Sequence, residues 1–444
     1  MILTKDQIYR YMSQILIPEV SGKGQEKILG SRVFFHSESL EAAALVLYYL
    51  AGAGVGEVFC RIDVPLNWNE LSGRLSDLNN DTRILPAYGE APENIPGQAT
   101  TKIITGSPGY VLDTLKNTAG SGKDYIPTVV SVFDGWHGAV QTFTEKAGLE
   151  EFISRLESEA VRSAPADGGY PDRLSGYFSG LMAVIEHLKL TLSVGKPLNK
   201  ALYHNLASME FDTVDSTGDL LRRLNMPVIT TGNQCELFAD SRVLIAGCGG
   251  MGSPAAYALA SLGIGTLGLL DQGTVELGNL NHQIMHSASR LGMPKVQSSE
   301  IFLRQINPGI KLDIYDSAIN DESIHDIISR YDIVIGCIDS RKDKYLLNDA
   351  CVAAGKPLLQ AGALDISGLA TSIIPGEGHC YRCIFPESES GNALPSCSDT
   401  GVLGPVPGVM GIVQAAEAVK LLSGTGRPLK DRLLLFDVFD TDLY

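Results

Sequence analysis

Short apolar runs alternate with helix-length stretches along both halves of the chain. In the second half, "RVLIAG" (242–247), "GTLGLLD" (265–271), "IKLDIYD" (310–316), "YDIVIGC" (331–337) and "KPLLQAG" (356–362) are rich in Val, Ile and Leu. Runs of this length suit strands buried on both faces of a parallel sheet. "SPAAYALASLG" (253–263) and "MGIVQAAEAVKLLSG" (410–424) read as helices, the second closing on a glycine. The most apolar stretch, "LEAAALVLYYLAGAGVG" (40–56), is short for a membrane span and punctuated by glycine at its end. It is expected to be a buried core helix.

The pattern repeats. "SRVFFHSESLEAAALVLYYLAGAGVGEV" (31–58) shadows "SRVLIAGCGGMGSPAAYALASLGIGTL" (241–267), and "PTVVSVFDGWHGAV" (127–140) matches "KPLLQAGALDISGLA" (356–370) in place and style. "GLMAVIEHLKLTLSVGKPLNKAL" (180–202) likewise matches "GVMGIVQAAEAVKLLSGTGRPLKDRL" (408–433). Matches in the same order along both halves imply two homologous units. We place them at about 1–213 and 214–444, joined through the polar "DTVDSTGD" (212–219). The expected class is α/β: two Rossmann-like, doubly wound units with mostly parallel sheets, packed against each other within the chain as a pseudo-dimer.

Composition narrows the partners. With 444 residues, 44% of them apolar, the chain has material for more than one core. A net charge of −16 argues against nucleic acid and against an acidic membrane surface, both of which need clustered Lys and Arg. The first residues lack a secretory pattern, and eight scattered cysteines without disulfide-like spacing fit a reducing, cytoplasmic setting.

Candidate chemistry lies in the second unit. Gly247, Gly249 and Gly252, with Gly250 between them, form G-x-G-x-x-G directly after one apolar run and before a helix. Asp271 follows at the end of the next run. This is the context of a nucleotide fingerprint, with a tight turn, close backbone approach to phosphate and an acid for a ribose hydroxyl. The next segment holds Asn279, His282, Gln283 and Lys295, and "YDIVIGCIDS" places Asp339 at a strand end. Lysine can meet phosphates and a strand-end carboxylate can hold Mg²⁺, which suits a triphosphate better than a dinucleotide.

With these motifs, and with "CYRCIFPE" and "C…GVLGPVPGVMG" further on, residues 226–444 resemble the ThiF/MoeB/HesA family, bacterial relatives of ubiquitin-activating enzymes. The resemblance implies ATP-dependent adenylation of a C-terminal carboxylate, usually that of a ubiquitin-like sulfur carrier. It places Gly249 against ATP, Asp271 on the ribose, Asn279 and Lys295 on the phosphates, and Asp339 on Mg²⁺ near the α-phosphate. Three departures stand out. His282 replaces a usual arginine, implying a weaker or pH-sensitive phosphate contact, and Gly273 replaces a second acid. Cys380 and Cys383 match only half of a four-ligand zinc site, so no zinc is expected. Cys397 falls where members with a thioester or persulfide step carry a reactive cysteine; as a bystander thiol it would be dispensable for adenylation.

In the first unit the glycine positions hold Ser37, Ser39 or Leu40, and Ala42 or Ala43, and no lysine or strand-end acid replaces Lys295 and Asp339. That copy is expected not to bind ATP. The resemblance also implies an arginine donated across the dimer from an "RYxRQ" segment. Here "RYMSQ" (10–14) keeps Arg10 but has Ser13 at the expected place. Arg10 is therefore the candidate donor, and further dimerisation of the whole chain stays open. The partner implied is a carrier protein or peptide with a free C-terminal carboxylate. Activation of a peptide or small-molecule carboxylate or amide, and a non-catalytic carrier-binding scaffold, are the competing readings.

Overall fold

Each apolar run noted above becomes a strand, and the two halves order their strands identically. The protein is described here from a computed structural model covering residues 2–62, 68–87, 99–118, 125–158, 169–224, 238–387, 400–440 and 442–443. The first sheet comprises β1 (Arg32–Ser37), β2 (Glu57–Ile62), β3 (Arg83–Pro86), β4 (Thr101–Gly106), β5 (Thr128–Asp134), β6 (His137–Phe143), β7 (Ala201–Asn205) and β8 (Glu210–Val214). The second comprises β9 (Arg242–Ala246), β10 (Thr266–Leu270), β11 (Lys311–Tyr315), β12 (Ile333–Gly336), β13 (Leu358–Leu364), β14 (Ser367–Ile373), β15 (Leu434–Asp437) and β16 (Asp442–Leu443). The orders are β3-β2-β1-β4-β5-β6-β7-β8 and β11-β10-β9-β12-β13-β14-β15-β16. In both, the first five strands run parallel and the last three antiparallel.

The parallel strands carry apolar residues on both faces because helices cover both. The helix Leu40–Ala53 is the stretch expected to be buried, and Leu45 to Leu50 of it are inaccessible or nearly so. Pro405–Ser423 is the one described helix long and apolar enough to cross a membrane by length and composition. It lies in the core of the protein, buried from Pro405 to Lys420, and ends on Gly424 in the left-handed conformation.

Both halves keep an ion pair inside this core. On the helix Tyr170–Leu192, Glu186 lies 2.7 Å from Lys189 and accepts hydrogen bonds from Thr142 Oγ1 (2.6 Å) and Leu198 N (2.8 Å). On Pro405–Ser423, Glu417 pairs with Lys420 and accepts from Ser372 Oγ (2.5 Å) and Leu429 N (2.7 Å). A charge can be buried only where a partner and hydrogen bonds replace water, and each glutamate has both. The match extends the repeat from sequence into energetics.

The two units share one continuous hydrophobic cluster. Tyr48 of the first stacks edge-on with Tyr257 and Phe302 of the second. A side chain on Gly408 would sit 2.7 Å from the Tyr49 ring. Across the same boundary, Arg173 donates to the Ser261 carbonyl at 2.7 Å. The chain packs on the first sheet as far as Leu224, because the helix Thr217–Leu224 buries Leu220, Leu221 and Leu224 in that sheet's outer cluster. The polar stretch 212–219 thus contains the end of β8 and the start of that helix.

Candidate functional site

A cleft of about 230 Å³ opens beyond the carboxyl ends of β9, β10, β11 and β12. Strand order reverses between β9 and β12, which is where open α/β sheets leave a crevice. Gly247, Gly249, Gly250, Asp271, His282, Gln283, Lys295 and Asp339 all line it. Residues separated by 92 positions in the chain are thereby gathered around one space.

The glycines have distinct reasons. Gly247 has φ +104°, and a Cβ there would lie 2.4 Å from the Cys337 carbonyl oxygen. A Cβ on Gly252 would lie 1.9 Å from the Gly247 carbonyl oxygen. These two are demanded by the turn and by packing of the helix Gly252–Ser261 on β9. On Gly249 the nearest atom would be Gln283 Nε2 at 3.5 Å, an ordinary contact. The protein's own packing leaves room for a side chain there, so bare backbone at Gly249 serves whatever enters the cleft.

Asp271 accepts hydrogen bonds from Cys248 N and Gly273 N, both at 2.7 Å, and so ties the glycine loop to the end of β10. A Cβ on Gly273 would come within 3.0 Å of Asp271 Oδ1 and 3.4 Å of Lys295 Cε, so the missing second acid leaves space for the lysine. Burial raises the Asp339 carboxyl above the ordinary carboxylate range; Lys344 and Lys295 oppose the shift and Asp271 adds to it. No hydrogen bond from the described residues reaches that carboxylate. Ser340 follows as the N-cap of the helix Arg341–Ala354, its Oγ accepting from Asp343 N.

Burial pushes the His282 pKa down to about 3, with Lys295 adding to the shift, which keeps the ring neutral near neutral pH. His286, unnoticed in the sequence, is held the same way at about 3. It donates from Nε2 to the Cys248 carbonyl (2.9 Å) and accepts from Ser298 Oγ at Nδ1 (3.0 Å), pinning the glycine loop. Asp343 is a third acid in the cleft, one that the sequence did not point out. The S-x-x-D spacing of Ser340 and Asp343 was its available signal.

Two candidates lie elsewhere, and a third falls outside the described residues. Asn279 closes the short 3₁₀ turn Leu277–Asn279, where its carbonyl accepts from His282 N and Gln283 N, and it is not among the residues lining the cleft. Arg10 points into its own half: it is buried, and Nη1 donates to the Leu78 carbonyl at 2.8 Å. Cys397 lies outside the described residues. Cys380 and Cys383 sit with sulfurs 3.6 Å apart, and among the described residues no group of three or more His, Cys, Asp or Glu gathers for a metal.

At the matching place in the first unit, two of the chain's own residues bond to each other. Register pairs His36 with Ile104 and Ala246 with Gly336, so Ser107 stands at the position of Asp339. Glu38, in the loop after β1, accepts from Ser107 N (2.6 Å) and Ser107 Oγ (3.0 Å). A carboxylate of the protein thus takes the amide that a bound anion would use.

Fold and cleft define a doubly wound α/β protein with a glycine-loop, nucleotide-type cleft in one of two tandem units. Residues 220–443 match the ThiF family, and the chain belongs to that family. It is similar to the adenylyltransferase and sulfurtransferase MOCS3 of Arabidopsis thaliana, 44% identical over 216 residues that make up 49% of this chain and 46% of that one. The MOCS3 of Drosophila grimshawi is 42% identical over 244 residues, 55% of this chain and 53% of its own. The SAMP-activating enzyme E1 of Haloferax volcanii is 39% identical over 201 residues, 45% of this chain and 74% of that enzyme. The chain spans about half the length of the MOCS3 relatives it matches.

Proposed function

We propose that the second unit adenylates the C-terminal carboxylate of a ubiquitin-like or sulfur-carrier protein, consuming ATP and releasing pyrophosphate. The first unit is its silent partner in an intrachain pseudo-dimer with one site. The observation that carries this reading is the convergence of Gly249, Asp271, Lys295 and Asp339 on one cleft, within the segment similar to MOCS3 and the archaeal E1.

A carboxylate oxygen of the carrier attacks the α-phosphorus of ATP. The new oxygen–phosphorus bond forms as the bond to the bridging oxygen breaks, and its electrons leave with pyrophosphate. The carboxylate is already ionised near neutral pH, so no general base is needed. The work left to the protein is positioning and charge neutralisation. The Gly249 backbone lets a phosphate approach, Lys295 brings positive charge beside it, and Asp271 can accept from a ribose hydroxyl.

Mg²⁺ fits this donor set. Magnesium binds through one or two carboxylates plus phosphate oxygens, and Asp339, lining the cleft and without a hydrogen bond from the described residues, with Asp343 nearby, would hold it. It would supply charge compensation to the phosphates. Six free cysteines among the described residues favour a cytoplasmic setting.

The test is ATP–pyrophosphate exchange with ubiquitin-fold carriers that end in a free carboxylate. Exchange should depend on the carrier and disappear when its terminus is amidated. Exchange with peptides or small carboxylates alone would transfer the reading to natural-product activation. Absence of both exchange and ATP binding would leave only a scaffold.

A further inference from the structure

Residues 10–14 do cross from the first unit to the second, although Arg10 does not. Ser13 Oγ donates to Asn281 Oδ1 at 3.0 Å, and the Ser13 carbonyl accepts from Val402 N at 2.9 Å. The same Asn281 Oδ1 accepts from His282 Nδ1 at 2.8 Å. The Asn281 carbonyl oxygen lies 2.8 Å from where a Cβ on Gly52 would stand and 2.7 Å from one on Gly404. That peptide is therefore wedged between a glycine of each unit. His282 in turn packs its Cδ2 2.8 Å from the Cβ position of Gly250.

We propose that Ser13 of the first unit is a positioning residue for the second unit's cleft, acting through Asn281 to hold His282 as the Nδ1–H tautomer against the glycine loop. An oxygen that accepts from both Ser13 and His282 cannot turn away without losing a buried hydrogen bond. Removing the hydroxyl frees the Asn281 amide to turn its NH₂ toward the ring, which would favour the other tautomer. Ser13 stands at the place where the family resemblance put a donated arginine. The crossing is kept there, and what it delivers is a neutral hydrogen bond. Phosphate charge then falls to Lys295.

The kinetic half of this inference rests on the proposed adenylation; the tautomer half does not. In the full-length ¹⁵N-labelled protein, the His282 signals, assigned by their loss in His282→Gln, should report the Nδ1–H tautomer. Ser13→Ala should convert them to a mixture, and Ser13→Thr should restore them. In pyrophosphate exchange Ser13→Ala should lower kcat about tenfold with ATP KM within about twofold, and Ser13→Thr should recover kcat. An unchanged tautomer in Ser13→Ala overturns the proposal, as does a changed tautomer with unchanged kcat. If the wild type shows no exchange, the adenylation reading fails and the tautomer measurement alone decides the role of Ser13.

Discussion

Glu38 and Ser107 are joined by two hydrogen bonds, from amide to carboxylate at 2.6 Å and from hydroxyl to carboxylate at 3.0 Å, at the register position that Asp339 holds in the other unit. Glu38→Ala should cost about 1.5–3 kcal/mol, as expected for hydrogen bonds to a charged group. It should create no new site, because Ser37 and its neighbours still replace the glycines. Calorimetric titration should find one ATP per chain before and after the substitution; two would show that Glu38 alone silences the copy.

Gly249 and Gly252 should respond oppositely to alanine. At Gly252 the added carbon meets the Gly247 carbonyl oxygen at 1.9 Å, so backbone must move, and a loss of about 1–3 kcal/mol in a denaturant melt is expected. At Gly249 the nearest contact is 3.5 Å, so stability should hold while ATP affinity drops about tenfold or more. Equal stability losses would contradict the division of roles.

Asp339→Ala should leave the fold intact and cut pyrophosphate exchange about 10²–10³-fold, the range for losing one preorganised electrostatic group. Cys397→Ala should keep exchange within about twofold, because adenylation ends before any acyl transfer. Loss of exchange in the cysteine variant would assign that residue to the first step.

Five histidines, His36, His187, His204, His282 and His286, are held neutral by burial with pKa values of about 3 against an ordinary 6.5. Their unfolded forms take up protons below 6.5 and their folded forms do not. The stability they contribute is complete above pH 6.5 and is lost as pH falls toward 3, by about 1.4 kcal/mol per pH unit for each. Thermal melts between pH 8 and pH 5 should show a plateau and then a steep decline. A level Tm from pH 7 to pH 5 would mean the imidazoles reach solvent.

Glu417→Gln should leave Lys420 buried and uncompensated, and removing one member of such a pair costs about 3–5 kcal/mol. The same change at Glu186 should behave alike, since Thr142 and Leu198 repeat the roles of Ser372 and Leu429. Urea melts of the two variants should fall together; a stable Glu417→Gln protein would show that Lys420 finds water.

The glycine loop, Asp271, Lys295 and Asp339 were legible because each follows or opens an element whose apolar pattern is visible. So was the duplication of the strands, since the matched stretches 127–140 and 356–370 fall on β5–β6 and β13–β14. The antiparallel sense of the last three strands in each sheet was not legible, since an apolar run has no direction. Glu38 was not singled out, because its partner Ser107 lies 69 positions away.

By itself, then, the amino-acid order determined the elements, their duplication and which copy keeps bare backbone after its first strand, since these depend on neighbours in the chain. Tertiary structure decided what depends on distance and burial. It turned Arg10 into the Leu78 carbonyl's partner, put Ser13 in contact with Asn281, left Asn279 outside the cleft and made His282 a neutral wall of it. Those outcomes follow from desolvation and from groups brought together across 68 and 268 positions, and no local pattern encodes them.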